Sequence, residues 1–115
     1  MDATPCILIG AMLVFIALIL FFVCLPLIRG RVAMNKTYGI RMPKAFESEG
    51  NWYTINKFGG KQMATCSIFF AVAGVLFGSI RPAPAAWSFW VLMLTPRLLL
   101  AVAFWRIKFF ADRLP

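Results

Sequence analysis

Four side chains in the middle of the chain offer chemistry that hydrocarbon does not: Arg41, Glu49, Trp52 and Asn56. A planar guanidinium, a carboxylate, an indole donor and an amide can satisfy one another in a closed network, with Arg41 and Glu49 as the ion pair. Such a network would fold a loop onto the helix ends beside it. The same residues could instead form a cytoplasmic-side pocket, floored by Trp52 and nearby glycines, that receives a ligand or a partner's backbone. Catalysis is poorly supplied. Only Glu47 and Glu49 could act as acid or base in this stretch, histidine is absent, and no activated nucleophile is in view. The three cysteines form no close pair, so zinc and haem have no donor set, and Cys24 and Cys66 read as small buried hydrophobes. Neither an enzymatic activity nor a cofactor is expected.

The elements that must hold these residues are mostly hydrocarbon. Of 115 residues, 62% are apolar and 14% charged, outside the range of a small soluble domain. The excess lies in three runs, each close to the roughly 20 helical residues that cross a bilayer core. They predict transmembrane helices at about 6–28, 62–80 and 85–105, with a distinctive loop at 35–61, in one membrane domain covering 1–115. The fold class is therefore an all-α integral membrane protein: three transmembrane helices and a conformationally specific cytoplasmic loop containing a short helix.

A net charge of +8 would suggest nucleic acid in a soluble protein, but its distribution has a simpler cause. Arg29, Arg31, Lys36, Arg41, Lys44, Lys57 and Lys61 fall between the first two helices against Glu47 and Glu49 alone. Arg106, Lys108 and Arg113 follow the third helix against Asp112, whereas Asp2 and Arg81 are the charges at the opposite ends. Basic short loops stay cytoplasmic, which predicts an N-terminus outside and a C-terminus inside. Direct nucleic-acid binding is not needed to explain the charge. The first run follows no basic segment and leads into positive charge, as in a retained anchor.

Local signals give the loop some order. Pro26 and Gly30 end the first helix, and Pro43 pushes Met42 out of the helical region. Ser48 caps a short helix carrying Glu49 in its first turn, and Trp52, Asn56, Gly59 and Met63 share one of its faces. That face either runs into the second transmembrane helix or breaks at a Gly59-Gly60 hinge. Gly74 and Gly78 form a small-xxx-small pair, for packing within the chain or between copies. Arg97, after Pro96, falls near mid-membrane with no carboxylate in any apolar run, so it is either a functional charge or one satisfied by carbonyls that Pro96 frees.

The loop resembles the signature of the SdpI family of bacterial membrane proteins. The matching residues are Asn35, Tyr38, Gly39, Ile40, Arg41 and Pro43, then Ser48, Glu49 and Trp52, then Asn56, Lys57 and Gly60. Met42 departs from the family's usual threonine, Met34 from a proline, and Lys57 from arginine. The chain matches the C-terminal three-helix portion of longer members. What the resemblance implies is immunity to a membrane-active peptide toxin, with capture of a transcriptional repressor at the bacterial inner membrane in the best-known case. Partners expected on this reading are a peptide toxin or a membrane protein, beside anionic lipid at the cytoplasmic face and a homo-oligomer as an option. The alternative is a structural accessory subunit docked through Gly74, Gly78 and Arg97. A small multidrug transporter would have four helices and an in-membrane carboxylate, and a holin-like pore would not need so patterned a loop.

Overall fold

The computed structural model describes residues 4–115, which are helix, turn and loop with no strand among them. Three α-helices, α1 (Thr4–Ile28), α2 (Glu49–Ile80) and α3 (Trp87–Asp112), are joined by a long loop containing one 3-10 turn, Pro43–Glu47, and by a short connection. All three are long and apolar enough to cross a membrane, so the expected all-α class with three membrane-spanning helices stands. α2 is the spine: α1 and α3 each pack on it without packing on each other. The result is an elongated molecule of 54 × 23 × 18 Å.

α1 meets α2 through small residues. Its buried positions, Cys6, Gly10, Leu13, Ala17, Cys24 and Leu27, recur at the three- and four-residue steps that keep one stripe facing a neighbour. At the crossing the two backbones touch: a Cβ on Gly10 would lie 2.5 Å from the Gly74 carbonyl oxygen, and one on Gly74 would lie 2.6 Å from that of Gly10. Gly74 is thus taken up inside the chain. Gly78, one turn on, has open space where its side chain would be. α1 then ends in a Schellman turn, with Gly30 at φ 67°, the Gly30 amide donating to the Leu27 carbonyl and the Arg31 amide to that of Pro26.

Two helices are longer than their apolar runs. α2 begins at Glu49 and passes through Gly59 and Gly60 without a break, so the continuous alternative holds and the hinge does not. The glycines make room for neighbours: a side chain at 59 would strike Ile40, and one at 60 would meet Ile28 at 2.9 Å. At 32 residues α2 is about 48 Å long, more than a bilayer core of roughly 30 Å, so its first turns stand clear of the apolar belt. α3 does not stop at Trp105 but continues to Asp112. Its last turns have something to cover, since Ile107 and Ala111 are buried against the projecting part of α2 and Phe110 stacks on Phe58 at 4.1 Å. The charged tail expected after residue 105 is therefore a helix end that presents its cations outward.

Candidate functional site

The loop is fastened to α1 and α2 by a chain of directional contacts. Asn35 sets its first turn: its side-chain oxygen accepts from the Thr37 and Tyr38 amides at 2.9 and 2.6 Å, while its amide group donates to the Ala33 carbonyl. Tyr38 then donates its hydroxyl to the Val23 carbonyl, tying the loop to the last turns of α1. Partial burial, and secondarily the nearby Cys24, push the Tyr38 hydroxyl above its ordinary pKa, in keeping with its role as a donor.

Gly39 is next, at φ 115°, a conformation side chains rarely adopt. A Cβ there would also lie 2.8 Å from Asn56 Oδ1 and 3.0 Å from the Trp52 ring. The bend brings the Ile40 amide 2.6 Å from Asn56 Oδ1 and lays the Ile40 side chain over Gly59. Asn56 in turn donates through Nδ2 to the Trp52 carbonyl at 2.9 Å, so one buried amide joins loop to helix with both ends satisfied. Trp52 is fully buried and its Nε1 donates to the Val32 carbonyl at 2.9 Å. Ser48 caps α2 as its position implied, accepting from the Asn51 amide at 3.0 Å. Pro43 opens the 3-10 turn, after Met42 in extended backbone.

Two expectations need correction. Arg41 and Glu49 do not form an ion pair. Arg41 Nη1 donates instead to the Lys36 carbonyl at 2.6 Å, and the loop's ion pair joins Lys44 to Glu47 at 3.3 Å. The reason is the unforeseen 3-10 turn, which intervenes between Arg41 and the start of α2. Trp52, likewise, cannot floor an open pocket, because it is sealed under the loop with Ile55, Ala45, Ile107 and Ala111. Gly60 does line a cavity, and the Lys57 stem covers Gly30.

Other parts of this end were not anticipated. Asn51 is buried and donates to the carbonyls of Lys44 and Pro115, both at 3.3 Å, linking the 3-10 turn to the residues that follow α3. Its position three residues after a capping serine was the available signal. Gly10 was passed over too, although Cys6, Gly10, Ala17 and Cys24 mark a small-residue stripe along an otherwise bulky helix. Arg97 lies apart from all of this, exposed on the apolar belt, with Nη1 donating to the Met93 carbonyl and lying 3.6 Å from the Met93 sulfur. That carbonyl is not the one Pro96 orphans, which belongs to Leu92 four residues before the proline. No group of residues suited to holding a metal occurs among the described residues.

The fold and site together define a multi-pass membrane protein with a structured loop between its first two helices. A family model described as the SdpI/YfhL protein family matches residues 31–106, most of the chain, and the protein belongs to that family. Neither a curated protein nor a solved structure matches it. Membership makes it an immunity-type membrane protein in the broad sense.

Proposed function

We propose that this chain is a non-catalytic recognition protein of the bacterial inner membrane that confers immunity to a membrane-active peptide toxin, and that toxin engagement is relayed to a captured partner. The observation that carries the reading is that the family match spans the loop, whose signature residues Asn35, Tyr38, Gly39, Trp52 and Asn56 spend their polar atoms and space on fixing one loop conformation. Arg41, Glu49 and Lys57 are the exposed charges of the signature, and of these Arg41 is the one anchored at the mouth of the cavity beside the loop. Its guanidinium is exposed and largely uncommitted, which places it to meet a group outside the chain. The basic loop and the basic end of α3 lie together, which supports a cytoplasmic charged end and an N-terminus outside.

The test is protection of sensitive cells against the sporulation-delaying toxin peptide after which the family is named. Expression of the chain alone should protect, and Arg41→Ala should abolish protection at unchanged membrane abundance. Full protection by Arg41→Ala, or none by the wild type at normal abundance, would reject the reading. Trp52→Ala is not a functional probe, because it removes the core of the charged end.

The exposed Arg97 favours a second reading, an accessory subunit whose partner covers that guanidinium. A stoichiometric integral protein co-purifying in mild detergent, and lost from Arg97→Leu, would support it over the first.

A further inference from the structure

Because α1 and α3 pack on α2 but not on each other, a groove is left between them, and near the charged end it deepens into a cavity of about 780 Å³. Gly60 and Met63 of α2 lie at its floor, Val23 and Leu27 of α1 on one side and Phe104 of α3 on the other. Val23 and Phe104 remain 41% and 56% exposed, so the groove opens sideways, toward lipid in a membrane. Along α1 it runs from Leu20 to Leu27, about 10 Å of helical rise just below the charged surface. Loop residues 39–42, Lys36 and Phe46 complete its lining at that surface.

The groove is hydrocarbon except at this upper end, where Arg41 and Lys36 supply two cations and no carboxylate. Neither is in an ion pair; the ion pair among the described residues joins Lys44 to Glu47. Arg41 commits one N–H to the Lys36 carbonyl, which anchors the guanidinium and leaves its remaining donors without a protein acceptor. An anchored planar fork at the membrane surface suits a phosphate diester, and the apolar cleft beneath suits what hangs from one.

We infer that this groove is a binding site for a single anionic phospholipid, its phosphate held by Arg41 and Lys36 and one acyl chain lying against Gly60 and Met63. Charge complementarity at one end and hydrocarbon at the other select an amphiphile. A free phosphate would leave the cleft unfilled, and a partner's transmembrane helix would need a cleft running through the whole bilayer, whereas this one is confined to the charged half. The inference does not depend on toxin recognition, since a resident lipid is bound with no toxin present; a toxin or partner that engages Arg41 would do so by displacing the lipid's phosphate.

The experiment is native mass spectrometry of the intact chain in mild detergent, titrated with phosphatidylglycerol or phosphatidylcholine. The expected result is one tightly retained phosphatidylglycerol, preferred about thirtyfold over phosphatidylcholine given two cations near the surface. Lys36→Gln combined with Arg41→Gln should erase the preference, and Arg41→Lys should restore part of it. Val23→Trp, which fills the cleft without touching either cation, should lower retention of the anionic lipid while protease resistance of the loop stays at the wild-type level. Equal retention of both lipids by the wild type would overturn the inference. So would an unchanged preference in the double variant, displacement of the lipid by inorganic phosphate, or undiminished retention in Val23→Trp with its loop still protected.

Discussion

The two ends of α2 are held by opposite means. In the apolar belt, α1 and α2 meet at Gly10 and Gly74 with their backbones in contact, and bulky side chains such as Phe15 and Phe22 turn away to the outside. At the charged end, Trp52, Ile55, Ile107 and Ala111 are enclosed, and hydrogen bonds through Asn56 and Trp52 fix the loop above them. The difference follows from the solvent. Lipid is as apolar as leucine, so burying hydrocarbon gains little inside the bilayer and helices must rely on close approach. Beyond the bilayer water returns, and enclosing an indole is favourable again.

If that contrast is right, the largest effect should come from emptying the wet core. Trp52→Ala is expected to cost about 3–5 kcal/mol. It would appear as rapid proteolysis of the 29–48 loop in mild detergent, with α-helical content largely retained. Asn56→Leu should cost about 1–3 kcal/mol by leaving the Ile40 amide without its acceptor, again read by loop proteolysis. Gly74→Leu should cost a similar 1–3 kcal/mol, through overpacking at the backbone contact. Its signature should differ: a lower thermal midpoint in detergent, with the loop still protected. Combining Gly74→Leu with Trp52→Ala sharpens the comparison, because 22 helical residues put the sites about 33 Å apart and their effects should add within about 0.5 kcal/mol. A larger coupling would mean that the two ends are one cooperative unit. The smallest effect belongs to Glu47→Gln, which removes a solvent-screened pair with the glutamate 56% exposed and should shift stability by less than about 0.5 kcal/mol.

The membrane helices and the loop's cap are legible in the sequence because those signals are local. Hydrocarbon runs, Ser48 before Glu49, and Pro43 after Met42 each act within a few residues. The end of α3, and the choice between a continuous α2 and a hinge at Gly59-Gly60, are not legible, since Ile107 and Ala111 become helical core only once the projecting turns of α2 are there to receive them. The partner of Arg41 is hidden for the same reason: opposite charge is visible in a sequence, while the 3-10 turn intervening between Arg41 and Glu49 is not. In contrast, Trp52 and Asn56 stand out by residue type and spacing, and Tyr38 and Gly39 through the resemblance to the SdpI signature; they are the residues whose hydrogen bonds and missing side chains set the loop.

The unbroken course of α2 through Gly59 and Gly60 has a mechanical meaning. Trp52, which anchors the loop, and Gly74, which bears on α1, ride on the same rod, so neither can turn about the helix axis alone. One residue of helix is about 100° of rotation, and even a small fraction of that at the loop would sweep the flat face at Gly74 off Gly10 and drive a side chain into its place. A rotation imposed on the gripped loop at one surface therefore becomes torque on the α1 contact near the other, even though loosening the packing at either end leaves the rod and the other end's packing in place.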